Sequence, residues 1–191
     1  MIYDLVPDTD PILKEKTINF DFEKDNAIEL AKNLAETMIK NKGVGLAAPQ
    51  VGINKSVFVV GDPTNRDSIM AFFNPILVDL FGEVVYYEEG CLSYPGLYVK
   101  VKRPQQVRMR FTDMHGETST NKYTGFTARV IQHEFDHLMG ITFHKRANPI
   151  HLISARGKQQ KILKKQRRLI INKWYQCPST GATKLGESNE I

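Results

Sequence analysis

Only two cysteines, Cys91 and Cys177, occur in this chain, and no stretch approaches the roughly 18 consecutive apolar residues of a transmembrane helix. These scarcities argue against a disulfide scaffold and a membrane protein. The first residues, Met1 to Leu13, carry Asp4, Asp8 and Asp10 and lack the basic-then-apolar pattern of an export signal. The expectation is a cytoplasmic protein, both thiols reduced, with no membrane contact. Internal repeats, low-complexity tracts and long Pro/Gly/Ser linkers are also missing, so 191 residues read as one domain. A chain of that length buries roughly 70% of its unfolded surface without a stapling ion. Any metal it holds is there for chemistry.

Acidic residues are absent from one region: residues 145–173 hold ten Lys/Arg and no Asp/Glu. From His137 to the end there are eleven basic and two acidic side chains, a net of +9. Residues 1–136 hold fifteen basic and nineteen acidic, a net of −4, which together give the chain's +5. A cationic tail on a catalytic body is one reading, and the solvated face of a packed helix is the plainer one. The expected layout is a catalytic body over 1–146, a basic helix over 147–173 and a flexible tail over 174–191, with Cys177 an incidental thiol.

What is present has clear periodicity. Residues 26–41 read as an amphipathic helix, with Ile28, Ala31, Leu34, Ala35 and Met38 at helical spacing and Asn26 as its cap. Gly43 to Gly52 is too rich in Gly, Ala and Pro for a regular element. Ser56–Val60, Ile76–Leu80, Val84–Glu88, Leu97–Val101 and Val107–Phe111 read as short strands whose brief connections favour antiparallel pairing. Phe126 to Leu138 returns to helical spacing. A last helix is predicted from Asn148-Pro149 to about Ile171, with Ile162, Leu163, Gln166, Leu169 and Ile170 on one face. The class is α+β: a mainly antiparallel sheet packed around a central helix.

That central helix carries His133-Glu134-Phe135-Asp136-His137. Residues four apart share a helix face, so both imidazoles can meet one ion while Glu134 stands by to take a proton. Two ordinary histidines on a helix are the plain alternative, but Gln132 to His137 makes the helix centre unusually polar. A catalytic site normally has three protein ligands. A third histidine six residues on would fall at Phe143, and no acidic residue follows Asp136 before Glu187. Cys91, between Gly90 and Pro95, is the best remaining candidate, although a lone cysteine is more often an inert core residue. Taken alone, Gly43–Gln50 is a tight turn with a solvated amide.

Three segments together resemble the peptide deformylase family, whose motifs stand intact and in order as Gly43–Gln50, Glu89–Ser93 and Gln132–His137. The resemblance runs from about Asp10 to Phe143. It implies an α+β hydrolase that removes the N-formyl group from the formylmethionine of new polypeptides. It implies one divalent ion, ferrous iron above all, with zinc, nickel or cobalt accepted, held by Cys91, His133 and His137. It further implies Glu134 as the proton carrier, and the Leu92 backbone N–H and Gln50 side chain as oxyanion donors. Backbone groups of Gly45 and Gly90 would hold the peptide, while Val44, Tyr87, Phe126 and Val130 would line the methionine pocket. Gln132 and Asp136 would position the helix. Tyr87 and Tyr94 are bulkier than the family pattern. Bacterial relatives often dock on the ribosome by a C-terminal helix, which the basic segment would suit. Two alternatives remain: a metallopeptidase cutting internal bonds, and a non-catalytic ribosome- or RNA-binding protein on the same fold.

Overall fold

The computed structural model describes residues 1–175, with side chains through residue 169. Helix α1, Ala27–Lys40, begins where Asn26 Oδ1 accepts the Glu29 N–H at 3.0 Å. That bond satisfies one donor the first turn would otherwise leave free. Ala27, Ala31, Leu34 and Met38 turn inward. Five strands follow: β1 (Gly45–Ala47), β2 (Val57–Val60), β3 (Met70–Cys91), β4 (Tyr94–Thr112) and β5 (Thr118–Thr124). They pair antiparallel in the order β1-β2-β3-β4-β5. Helix α2, Gly125–Leu138, lies against β4, β1 and β2 and is buried along most of its length. Its polar Arg129, Gln132, His133, Glu134, Asp136 and His137 are all buried. Such burial is tolerable only when those groups have partners or an ion.

Several expected boundaries shift. Ile76–Leu80 and Val84–Glu88 are parts of one strand, because Gly82 (φ 81°) and the register break between Phe81 and Val84 form a bulge, not a turn. Leu97–Val101 and Val107–Phe111 likewise join as β4, straight through Pro104. That proline is tolerated because β5 pairs only with residues 106–112, leaving one edge of β4 without a ladder there. The Gly43–Gly52 segment is regular in part: it holds β1 and a 3-10 turn, Ala48–Val51. Strand β5 was not expected. Its polar run buries no residue fully, and backbone pairing with β4 holds it.

Helix α3, Pro149–Tyr175, docks on β4 by its N-terminal half only. Leu152 and Ala155 join Tyr94, Leu97, Val99, Val101 and Phe143 in a small core, and Gln159 Nε2 donates to the Pro95 carbonyl at 3.0 Å. The packed face therefore runs through Leu152, Ala155, Gln159 and Leu163; of the predicted stripe, Ile162 and Leu163 face the body while Gln166 and Leu169 are exposed. Residues 164–169 are all exposed, since no body lies beneath them among the described residues. No helix there is long and apolar enough to cross a membrane. The predicted tail beyond Tyr175, including Cys177, lies outside the described residues.

Candidate active site

The turn of β3 into β4 and the middle of α2 meet at one point. Cys91 ends β3, and the ligand atoms of Cys91, His133 and His137 all lie within 4.8 Å of one another. Cys91 Sγ is 3.2 Å from His137 Nε2. An ion with bonds of roughly 2.0–2.1 Å to nitrogen and 2.3 Å to sulfur fits such a set. His133 Nδ1 is 3.0 Å from Glu89 Oε2, which leaves its other ring nitrogen for the cluster. A carboxylate behind a histidine is how metal-binding imidazoles are commonly oriented. The donor set and its backing therefore fit a divalent ion.

Glu134 is buried beside these groups, and its Oε2 has no hydrogen-bond partner. Burial is the main cause that pushes its carboxyl up to about 7, against the pull of the His133 and Arg103 charges. Glu89 shows the opposite behaviour. Burial would raise it, but hydrogen bonds from His133 and Arg103 outweigh that and hold it at about 2. Two carboxylates with environments that push them apart mark a proton carrier and a permanent anion.

Gln50 reaches the cluster from the 3-10 turn after β1. Its Oε1 accepts the Ala47 N–H at 2.8 Å, and its Nε2 lies 3.1 Å from Ser93 Oγ and 3.5 Å from Cys91 Sγ. The amide is buried and oriented, unlike the solvated group that the segment suggests in isolation. Gly45 stands where no side chain fits: a Cβ there would lie 2.4 Å from Glu134 Oε1 and 2.8 Å from Val130 Cγ1. Gly45→Ala should therefore displace the Glu134 carboxyl. Misplacement by about 1 Å can cost roughly 100-fold in rate. A loss of that order, at unchanged ion content by metal analysis, is the expected result; wild-type turnover would show that Glu134 adapts.

A cleft of about 660 Å³ opens over this cluster. Val44, Gly45, Gly90, Leu92, Phe126 and Val130 line it, together with Gln50, Cys91, His133 and Glu134. Tyr87 does not. It lies on the outer rim, largely exposed, with the Arg129 guanidinium 5.5 Å from its ring centre. Arg129 itself lines the cleft, a residue the sequence reading gave no role. Tyr94 is buried in the cleft floor against the rings of Phe143 and His144.

Behind the histidines lies a charged network of which the sequence supplies only Asp136 and Gln132, as residues that position the helix. Arg103 donates to both Glu89 oxygens (2.7 and 3.0 Å) and to Asp136 Oδ2 (2.8 Å). Arg129 donates to Glu89 Oε1 and to the Val85 and Val101 carbonyls. Arg146, just before α3, bonds both oxygens of Asp136. Gln132 Nε2 donates to the Pro104 and Ala128 carbonyls at 3.0 Å. One signal pointed to Arg103: it shares strand parity with the apolar Leu97, Val99 and Val101, all buried.

A mainly antiparallel sheet wrapped on a helix with H-E-x-x-H, plus a cysteine completing three ligands, defines a metal-dependent hydrolase. Residues 2–152 match the family model described as polypeptide deformylase, and the chain belongs to that family. It is 36% identical to a peptide deformylase of Cytophaga hutchinsonii over 169 residues, covering 86% of this chain and 92% of that protein. A deformylase of Synechococcus elongatus solved with actinonin superposes with a TM-score of 0.78 at 34% identity, covering 83% and 88% of the two chains. One from Acinetobacter baumannii, solved with Met-Ala-Ser bound, gives 0.69 at 31% identity, covering 76% and 98%.

Proposed function

We propose that this chain hydrolyses the N-formyl group from the formylmethionine that begins newly made polypeptides, releasing formate and a free amine. The observation that carries the reading is Glu134, buried with an unpartnered oxygen beside the Cys91/His133/His137 set. A divalent ion held there would polarise the formyl oxygen and bring a water molecule's pKa toward neutrality. Glu134 takes the proton of the attacking water and passes it to the departing amine. The developing oxyanion is met by the Leu92 backbone N–H and by Gln50 Nε2, whose long 3.5 Å contact to Cys91 Sγ is the one free to turn. Val44 and Phe126 are exposed apolar side chains at the cleft, where Val130 sits beneath them, and the methionine side chain suits them. Gly45 and Gly90 offer backbone groups to the peptide.

Ferrous iron is the proposed ion and the cytoplasm the proposed compartment. Zinc, nickel and cobalt suit the same thiolate and imidazole donors. Iron-loaded protein kept from oxygen should release formate from formyl-Met-Ala-Ser and leave internal peptide bonds uncut. Internal cleavage would favour the metallopeptidase alternative, and no turnover a binding protein. Cys91→Ser should lose its ion on dialysis, because a hydroxyl is a far poorer anionic ligand than a thiolate.

The exposed end of α3 is proposed to meet ribosomal RNA. Lys164, Lys165, Arg167 and Arg168 are exposed on a segment that buries nothing. Truncation after Leu163 should spare peptide turnover and melting temperature while lowering ribosome co-sedimentation. For the intact protein, that association should weaken steeply with salt. Equal sedimentation of both forms would remove α3 from the contact.

A further inference from the structure

Resting on the deformylase reading, we infer that the substrate cleft continues into a second, basic groove that reads acidic side chains from about the fourth residue of the peptide onward. The groove, about 440 Å³, runs between β4 and the first turns of α3. It shares Glu88, Gly96 and Tyr98 with the catalytic cleft, so the two are continuous around the Tyr98 ring. Tyr98 lies against Gly90: a Cβ on that glycine would sit 2.6 Å from Tyr98 Cε1. The missing side chain at Gly90 is what lets the ring rest at the junction.

The far wall is fixed. Gly96 takes φ 74°, and a Cβ there would just touch Ile162 at 3.4 Å, so helix and turn are separated by about the width of one methyl group. The Gln159-to-Pro95 hydrogen bond pins the same approach. Because the N-terminal half of α3 packs into the core through Leu152 and Ala155, the groove is a standing feature of the fold.

Reach and charge identify the occupant. The catalytic cleft is of a size that takes a drug-sized ligand, which for a peptide is about three residues. An extended chain advances roughly 3.3 Å per residue, so the fourth and later residues lie outside the cleft, and Tyr98 stands where the cleft meets the second groove. Around it stand Lys100 on β4, directly across the β3–β4 pair from Glu88, and Lys158 on α3, with His151 and Ser154 nearby. Glu88 is the one carboxylate lining the groove among the described residues, and it offsets one of the two lysines, which leaves a net positive charge. The groove therefore attracts acidic side chains beyond the junction and repels basic ones.

The test uses iron-loaded full-length protein and formyl-Met-Ala-Ser-X-X-X, with X all Asp, all Ser or all Lys. Formyl-Met-Ala-Ser serves as the reference for each enzyme form. Exposed charge pairs change binding by roughly twofold to fivefold each. The ratio of hexapeptide to tripeptide kcat/KM should rank Asp above Ser above Lys, with Asp and Lys about fivefold or more apart and the difference in KM. Lys100→Glu/Lys158→Glu should reverse that order, and added salt should flatten it in the wild type. Equal ratios for all three peptides, or an unchanged order in the double variant, would overturn the inference. Failure on the tripeptide itself would instead overturn the deformylase reading beneath it.

Discussion

Glu134→Gln should lower kcat by about 10²–10⁴-fold, the usual contribution of a positioned proton carrier, while the protein keeps its fold and its ion. The side chain is not one of the three groups that converge on the ion site. Its Oε2 has no partner to lose, so a neutral isostere breaks no hydrogen bond at that atom. What disappears is the ability to take a proton from water and hand it on. Burial raises the Glu134 carboxyl above the usual carboxylate range, toward the pH at which a group both accepts and releases a proton readily, and the charge of a bound ion would act against that rise. The measurement is kcat on formyl-Met-Ala-Ser beside metal content and a melting curve. Full activity at equal metal content would remove Glu134 from the chemistry. A parallel loss of metal would make the residue part of the ion's hold instead.

The parts of this site that were legible in the sequence are those encoded by short-range spacing. His133 and His137 share a helix face because they are four apart, and Glu134 follows from the same pattern. Asn26 and the spacing of Ala31, Leu34 and Met38 gave α1 to within a residue. Cys91 and Gln50 needed more: each has an ordinary reading alone, and only three ordered motifs suggest that they meet. The long strands were hidden because Gly82 and Pro104 look like punctuation, while in the fold one forms a bulge and the other sits where a ladder is missing. Tyr87 illustrates the limit of carrying a pocket over by position. Its ring is engaged by Arg129, a partner 42 positions away.

The network around Arg103 was invisible for the same reason of range. Its partners Glu89 and Asp136 lie 14 and 33 residues away, on another strand and on a helix. Local pattern cannot pair such groups. Burial and strand parity show only that Arg103 must have anions to meet.

Arg103→Met should accordingly be the most destabilising single change in the site, by about 3–5 kcal/mol. Arg103 is 3% exposed and supplies three hydrogen bonds to two buried carboxylates. Methionine fills similar space but leaves Glu89 with Arg129 and His133, and Asp136 with the half-exposed Arg146. Removing Arg103 leaves a buried network with one cation too few and three carboxylate hydrogen bonds unmade, which is why the cost exceeds that of any surface pair. At roughly 2–4 °C per kcal/mol for a chain of this size, melting should fall by about 6–20 °C. Ion-free protein is the right sample, since bound metal adds its own stabilisation. Arg108→Met is the control. Arg108 and Asp79 are 3.9 Å apart and both 52% exposed, so that change should stay within about 1 kcal/mol. Arg103→Lys should recover only part of the loss, because a point charge cannot make the two-pronged contact with Glu89. A second readout separates support of the ion site from mere folding. Glu89 orients His133, and losing such backing typically weakens metal binding by roughly 10–100-fold. Competitive metal titration of Arg103→Met, at a temperature where it is fully folded, should show that weakening. Unchanged metal affinity, with stability lost, would confine Arg103 to the fold.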